Sequence, residues 1–250
     1  MITGVKKGRA DLVLVQRGLV PSREKARALI REKAVMLDGL ALTKPSQTVP
    51  FSGHFEIDDA HLRWVSRGGL KLEAAMDSFD LAPLDGAICI DVGASTGGFS
   101  DVLLRYGAGH IYAVDVGHGQ LADSLVADKR VTNLEKTHAR DIDDRLIPQP
   151  VDLIVCDLSF ISVTKALSPA LALARSGGKL VTLIKPQFEA GRAALGKGGV
   201  VRAEKDRQAA IDLVKAFICD ECGWQEIGLI LSPVTGADGN IEYLFCAEKP

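Results

Sequence analysis

Apolar runs that alternate with helical stretches fill most of this chain. The runs lie at residues 88–92, 111–116, 151–156 and 180–184, and helical patterns lie at 99–106, 121–128 and 163–175. Apolar strands joined by crossover helices are typical of a parallel sheet that is covered on both faces. Two later runs, 227–231 and 241–246, are separated by turn residues and suit an antiparallel pair that closes the sheet. The pattern therefore predicts a doubly wound α/β fold.

Basic residues are concentrated at the beginning of the chain. The formal net charge of all 250 residues is -2. Residues 1–66 carry eleven basic and seven acidic side chains, and nine of these basic residues fall within the first 33 positions. Such local density favours contact with nucleic acid. With a bend predicted at Gly68 and Gly69, we place two domains at residues 1–64 and 65–250.

The sequence also excludes several classes of protein. No apolar run approaches the roughly 18 to 20 residues that cross a bilayer, and the N-terminus lacks a signal-peptide core, so we predict a cytoplasmic protein without membrane insertion. Five cysteines do not resemble a disulfide framework. Cys219 and Cys222 form a single C-x-x-C, which we interpret as helix-borne thiols, and no metal site is expected. Lys197, Arg202, Lys205 and Arg207 are interpreted as a mobile rim.

The first domain shows two short helices followed by a small sheet. Ser22 is predicted to cap a helix on which Arg23, Arg27 and Arg31 recur every four residues as a basic ridge. Asp38 and Gly39 between apolar runs indicate a hairpin, and a third strand is predicted at 55–57. This succession resembles the S4-type RNA-binding module. The residues predicted to bind RNA are Arg9, Arg23, Lys25, Arg27, Arg31 and Arg67.

A glycine-rich turn follows the strand at 88–92. Asp115 ends the next strand, where a carboxylate can accept hydrogen bonds from two ribose hydroxyls. Both features fit NAD or S-adenosylmethionine. Ser95 stands where a dinucleotide fingerprint requires glycine, and Asp91 suits the methionine amine, so S-adenosylmethionine is favoured. The cofactor-binding residues predicted from this turn and the next strand are Asp91, Gly93, Ala94, Ser95, Gly97, Gly98, Phe99 and Asp115.

Two lysines and two carboxylates are predicted to converge at the carboxyl edge of the sheet. They are Lys71, Asp157, Lys185 and Glu242. Methylation of an alcohol requires a base, because a ribose hydroxyl must lose its proton as the methyl group transfers. A lysine amine can act as that base only if its pKa falls from about 10.4, which a second cation favours and carboxylates oppose. The sequence does not resolve these opposing effects.

Five segments together resemble the TlyA family, at residues 66–72, 91–99, 157–162, 185–189 and 239–242. These proteins, also labelled hemolysin A, join an S4-type domain to an FtsJ-like methyltransferase of Rossmann-like, class I fold. The resemblance implies S-adenosylmethionine-dependent 2′-O-methylation of ribosomal RNA in ribosomal subunits, with cytidine as the expected nucleotide. It also implies that Lys71, Asp157, Lys185 and Glu242 are catalytic and that Lys185 is the base. The same resemblance implies that Asp157 is cofactor-binding as well.

Four other functions compete with this interpretation. An amino-methylating enzyme would show prolines where Leu158 and Ser159 stand. A membrane-active hemolysin needs an inserting segment, and an NAD-dependent oxidoreductase has no use for a basic front domain. A non-catalytic ribosome-assembly factor would not need the four charged positions. The oligomeric state is left open by the sequence.

Overall fold

The computed structural model describes residues 6–31, 33–57, 62–236 and 239–250. Within it the chain divides into two compact units, Met1–Arg67 and Gly68–Pro250. Each unit has its own hydrophobic core. We therefore describe each unit by itself.

The first unit is a small α+β structure. Its elements are β1 (Lys7–Arg9), α1 (Ala10–Gln16), α2 (Arg23–Arg31), β2 (Val35–Leu37), β3 (Leu40–Ala41), β4 (Thr48–Pro50) and β5 (Phe55–Ile57). Strands β3, β2 and β5 form an antiparallel sheet, as the hairpin pattern predicted, and β1 pairs with β4. The Ser22 hydroxyl accepts a hydrogen bond from the Lys25 amide (3.1 Å), which confirms the predicted cap. Leu14, Leu29 and Ile30 pack the core.

The second unit contains the long sheet and its covering helices. The strands are β6 (Ile88–Val92), β7 (His110–Val114), β8 (Val131–Leu134), β9 (Val151–Cys156), β10 (Ala174–Ile184), β11 (Gln225–Leu231) and β12 (Tyr243–Glu248). The helices are α3 (Gly68–Ser78), α4 (Gly98–Arg105), α5 (Asp123–Val126), α6 (Val163–Ala166), α7 (Ser168–Ala172), α8 (Pro186–Glu189) and α9 (Glu204–Lys215). Short 3-10 turns lie at Ala139–Asp141, Arg192–Ala194 and Lys197–Gly199, and a π-helical segment, Ala216–Glu221, follows α9.

The seven strands are ordered β11-β12-β10-β9-β6-β7-β8. Strands β8, β7, β6, β9 and β10 are parallel, and β12 runs antiparallel to both β10 and β11. The strand order reverses between β6 and β9, and the crevice at such a reversal is where open α/β sheets bind ligands. The predicted α/β fold with an antiparallel closing pair is confirmed.

Apolar side chains on both faces hold this sheet between its helices. Ile90, Ile154, Leu180 and Phe245 are fully buried in one cluster with residues of α6, α7 and α9. This explains why the parallel strands are nearly continuous apolar runs. The packed sheet fixes the points at which the chain leaves each strand. The residues of the candidate site lie at these points.

Several predicted elements were wrong in extent. The helix predicted at 163–175 is two short helices, α6 and α7, because Pro169 lacks the N–H that a continuous helix needs at that position. Strand β10 then begins at Ala174. The helix predicted at 121–128 is limited to α5, and β8 was not predicted.

The segment interpreted as a mobile rim is also different in the structure. Lys205 and Arg207 belong to α9, whose Ala210, Ile211 and Val214 are buried. Helical spacing of these three residues marks a helix that packs on the sheet. Cys219 lies in the π-helical segment and Cys222 at its end, and burial raises the pKa of both thiols.

Of the helices that the described residues form, none has the length and apolar character to cross a membrane. Within the same residues, no three His, Cys, Asp or Glu side chains come together as a metal site.

Candidate active site

A cavity of about 320 Å³ opens at the carboxyl ends of β6, β7 and β9. Gly93 and Ser95 line it after β6, and Asp115 and Val116 line it after β7. The segment that follows β9, residues 157–160, forms another wall. Its size is within the range of small-molecule sites, and it lies at the reversal of strand order.

Gly93 allows the loops after β6 and β9 to approach one another. Its φ is +86°, and a Cβ placed there would lie 3.1 Å from the carbonyl oxygen of Asp157. A side chain would therefore be strained and would crowd the backbone of the neighbouring loop. The glycine is required by this packing at the base of the cavity.

Asp115 joins the turn after β6 to the turn after β7. Its Oδ2 accepts a hydrogen bond from the Ser95 amide (2.8 Å), and its Oδ1 accepts one from the Gly117 amide (2.7 Å). Each carboxylate oxygen retains capacity for another donor. Ser95 itself has a left-handed φ of +48°, and its hydroxyl lies 3.3 Å from Gln120 Oε1. Asp115 is thus fixed on the wall of the cavity with acceptor capacity for ligand hydroxyls.

The cofactor-binding prediction divides into two groups in the structure. Gly93, Ser95, Asp115 and Asp157 line the cavity. The lining does not include Asp91, Ala94, Gly97, Gly98 or Phe99. Phe99 packs into the protein with 3% of its surface exposed, and Gly97 faces the side chains of Leu121 and Leu125. Ala94, Gly97, Gly98 and Phe99 shape the loop and the start of α4, and Asp91 lies on β6.

Asp91 departs most clearly from its predicted contact with a ligand amine. It is fully buried, and its Oδ2 accepts hydrogen bonds from the amide (3.0 Å) and hydroxyl (2.7 Å) of Ser100. Burial raises the pKa of Asp91 to about 7. In this structure Asp91 secures the first turn of α4 against β6.

The four predicted catalytic side chains form one connected cluster. Lys185 Nζ lies 2.5 Å from Asp157 Oδ1, and Lys71 Nζ lies 3.7 Å from Asp157 Oδ2. Lys71 Nζ also donates to Glu242 Oε2 at 2.7 Å. Two amines and two carboxylates therefore alternate along one chain of contacts.

The fold explains how residues distant in sequence meet here. Asp157 and Lys185 follow the parallel strands β9 and β10, so both leave the same edge of the sheet. Strand β12 is antiparallel, and Tyr243 pairs with Ile184. Glu242, which was predicted within this strand, lies just before its start and thus at the same edge. Lys71 comes from the first turn of α3.

Three of the four side chains of the cluster are buried. The exposed fractions are 7% for Lys71, 6% for Lys185 and 3% for Glu242. Buried charges are tolerated only when they are paired and hydrogen-bonded, and each of these is. Asp157 also lines the cavity, so this residue joins the cluster to the candidate ligand site.

Sequence reasoning missed several neighbours of the site. Gln120, Thr137 and Ala139 line the cavity from loops whose strands were predicted imperfectly or not at all. Gln187 donates to Glu242 Oε1 (3.2 Å), and the Ser159 hydroxyl accepts from Lys185 Nζ (2.8 Å). Ser159 and Gln187 lie within two of the segments that resemble the TlyA family, 157–162 and 185–189, so that resemblance could have pointed to them.

A second charged cluster lies in the first unit, around the fully buried carboxylate of Asp11. Arg9 donates from Nε (3.0 Å), and Arg23 and Arg27 donate from Nε at 2.9 and 3.2 Å. These three guanidinium groups, with Arg9 contributing most, hold the pKa of Asp11 well below its usual range. Their side chains remain 43 to 45% exposed, so they form one ordered basic surface.

The other predicted RNA-binding residues are placed differently. Lys25 Nζ donates to the backbone carbonyl of Trp64, which the sequence did not suggest. Arg31 ends α2 with an exposed side chain, and Arg67 is the last residue of the first unit. The six residues therefore do not share one type of environment.

Comparison with known proteins identifies the family. Residues 64–249 match the profile of the FtsJ-like methyltransferases, and residues 8–54 match the S4 domain. The 16S/23S rRNA (cytidine-2′-O)-methyltransferase TlyA of Mycobacterium tuberculosis is 44% identical over 239 residues, which are 95% of this chain and 88% of that protein. The chain belongs to the TlyA family of FtsJ-like methyltransferases.

Other members of the TlyA family are similarly related. Hemolysin A of Brachyspira hyodysenteriae is 39% identical over 94% of this chain and 98% of that protein. A solved structure from Streptococcus thermophilus, assigned as a hemolysin, is 38% identical with a TM-score of 0.77, and the match covers 98% of this chain and 90% of that one. Both the TlyA-family resemblance and the α/β methyltransferase fold are confirmed.

Proposed function

We propose that this TlyA-family chain transfers a methyl group from S-adenosylmethionine to a ribose 2′-hydroxyl of ribosomal RNA, with cytidine as the nucleotide. The observation that carries the proposal is the position of Asp157, which lines the cavity and contacts Lys185 Nζ at 2.5 Å. A ligand in the cavity would therefore lie next to Asp157, whose partner Lys185 can accept a proton. A ribosomal RNA substrate also implies the cytoplasmic location predicted from the sequence.

The cavity fits S-adenosylmethionine better than a dinucleotide. A pyrophosphate needs free backbone amides at the turn after β6, but the Ser95 amide is bonded to Asp115. The other acceptor sites of Asp115 would hold the ribose hydroxyls of the cofactor, and Gly93 and Gln120 would line its binding site. When bound, the cofactor supplies an electrophilic methyl group on a sulfonium ion.

In the proposed mechanism, Lys185 in its neutral form accepts the proton of the target hydroxyl. Asp157 and Ser159 orient its amine through the contacts at 2.5 and 2.8 Å. Lys71 shares Asp157 with Lys185, and Glu242 fixes Lys71 and offsets its charge. The RNA oxygen would form a bond to the methyl carbon while the S–C bond of the sulfonium breaks and its electron pair stays on sulfur, which leaves a neutral thioether. The proton of the hydroxyl would pass to Nζ of Lys185.

Replacement of Asp115 by alanine tests the cofactor site. We expect S-adenosylmethionine affinity to fall roughly 10- to 100-fold, since hydrogen bonds to a charged group are worth about 1.5–3 kcal/mol. Calorimetric titration measures this affinity. Asp128→Ala is the matched control, because Asp128 bonds to Arg130 and lies outside the cavity lining. Equal affinity of the Asp115 variant and the wild type would exclude the proposed cofactor contact.

Replacement of Arg23, Arg27 and Arg31 together tests the RNA surface. RNA affinity should fall, and the slope of its salt dependence should flatten by up to about 3, since each duplex phosphate contact contributes roughly 0.9. Filter binding at several salt concentrations measures the slope. Arg130→Ala/Arg145→Ala is the control, because each of these arginines pairs with a local aspartate in the second unit.

An unchanged slope in the triple variant would remove this surface from RNA binding. Asp11 loses two of its guanidinium partners in that variant, so its folding is checked by circular dichroism before binding is compared.

Incubation of the chain with labelled S-adenosylmethionine and isolated ribosomal subunits tests the proposed function. Label should enter the ribosomal RNA. Label retained only on the free cofactor, with folded protein and intact subunits, would contradict the proposal.

A further inference from the structure

Glu189 links two loops that meet at the charged cluster. It ends α8, which follows Lys185 directly, and only 8% of its surface is exposed. Its Oε2 accepts a hydrogen bond from the Ser162 hydroxyl (2.5 Å), and its Oε1 accepts one from the Val163 amide (2.9 Å). Both donors belong to the far end of the loop that begins at Asp157. A buried carboxylate therefore fastens the loop after β9 to the loop after β10.

The near end of the same loop is held by Lys185. Its amine contacts the Asp157 carboxylate and donates to the Ser159 hydroxyl at 2.8 Å. Lys185 and Glu189 are four residues apart on one short segment, so residues 157–163 are fixed at both ends by that segment. The loop cannot shift without breaking one of these two sets of contacts.

The residue between the two attachment points has an uncommon backbone conformation. Phe160 has a φ of +67°, and the residue is 91% exposed although its ring centroid lies 5.4 Å from that of Phe188. Non-glycine residues keep such a conformation only when the surrounding structure enforces it. The two-ended attachment supplies that constraint, and Phe160 also lines the cavity.

We propose that Glu189 is a positioning residue for methyl transfer, which holds the loop of Asp157 and Ser159 in the place where these groups orient the Lys185 amine. This inference rests on the proposed function. Glu189 does not line the cavity, so it acts through the loop and not by contact with the cofactor. Burial also raises the pKa of Glu189, consistent with its enclosed position.

Glu189→Ala tests the inference through the split between turnover and binding. Turnover per cofactor-binding site should fall roughly 10- to 100-fold, because small displacements of reacting groups have effects of this size. Affinity for S-adenosylmethionine should stay within about threefold, since only orientation is lost. Glu189→Gln should recover most of the turnover. The amide oxygen of the glutamine can accept the hydrogen bond from the Val163 N–H, and its amide N–H can donate to the Ser162 hydroxyl. That hydroxyl can then donate to the Thr164 hydroxyl, which already lies within hydrogen-bond distance.

Asp152→Asn is the matched control. Asp152 likewise accepts from a backbone amide, that of Ile88 (2.7 Å), and from a side chain, Arg175 Nε (2.5 Å), but it lies on β9 away from the charged cluster. Its turnover per site should equal that of the wild type. Equal turnover of the Glu189→Ala variant and the wild type, or failure of Glu189→Gln to recover activity, would overturn the inference.

Hydrogen exchange separates this inference from the proposed function. The Val163 amide and its neighbours should exchange faster in Glu189→Ala than in the wild type or in Asp152→Asn. If the wild type transfers no methyl group, the proposed function fails. Unchanged exchange in Glu189→Ala would instead show that Glu189 does not hold the loop.

Discussion

Lys185→Ala is expected to lower methyl transfer by roughly 10²- to 10⁴-fold, the usual contribution of a positioned acid or base. The reason is structural as well as chemical, because the Lys185 amine is the group that connects Asp157 with Ser159. Its removal leaves the target hydroxyl without a proton acceptor. Single-turnover transfer of labelled methyl to ribosomal RNA measures the loss.

The same variant should bind S-adenosylmethionine within about threefold of the wild type, because the lost interaction acts on the reacting hydroxyl. Lys179→Ala is its matched control, since Lys179 lies on β10 five residues before the end of the strand. The control should transfer methyl groups at the wild-type rate. Undiminished transfer by Lys185→Ala would remove Lys185 from the mechanism.

Glu242→Ala is expected to destabilise the second unit by about 3–5 kcal/mol, the effect of removing one partner of a buried ion pair. Lys71, only 7% exposed, loses the acceptor at 2.7 Å, and Gln187 loses its bond to the same carboxylate. The thermal transition of this unit should fall by roughly 10 °C. Differential scanning calorimetry measures the change.

The double variant Lys71→Met/Glu242→Leu separates stability from activity. Replacing a buried ion pair by apolar side chains is often neutral for stability. The free energy of unfolding of the double variant should therefore lie within about 1 kcal/mol of the wild-type value. Methyl transfer should nevertheless be lost in the double variant, because Lys71 and Glu242 no longer support Asp157. A Glu242→Ala variant as stable as the wild type would show that the pair does not hold the fold together.

The sheet was predictable because strand burial leaves a clear trace in the sequence. Continuous apolar runs marked β6, β9 and much of β10, while β8 contains Thr132 and Asn133 and shows no such run. The error at 163–175 came from reading helical spacing across Pro169. The spacing of apolar residues predicted where most strands and helices lie. The residues at which they begin and end depend on local backbone chemistry, such as the missing N–H of Pro169.

The convergence of the four charged side chains was predictable because the carboxyl ends of parallel strands share one edge. That rule placed Asp157 and Lys185 together, and the antiparallel β12 brought Glu242 to the same edge. Side-chain direction was not available from the sequence. Asp91 therefore turned out to bond Ser100 in the interior and not to line the cavity.

The arginines of the first unit show the same limit. Helical periodicity predicted a ridge of Arg23, Arg27 and Arg31, of which Arg23 and Arg27 both contact Asp11. Their shared contact with Asp11, however, joins residues from two helices, which only tertiary structure supplies. The basic surface was therefore predictable, but its ordering by a buried carboxylate was not.

Mass spectrometry of nucleosides tests the central claim most directly, after reaction of ribosomal subunits with S-adenosylmethionine and this chain. Digestion of the RNA separates nucleosides methylated on the ribose from those methylated on the base. The proposal predicts 2′-O-methylcytidine with the wild type and, over the same reaction time, at least about 100-fold less with Lys185→Ala. Methyl groups found only on bases, or equal amounts of 2′-O-methylcytidine with both proteins, would contradict it.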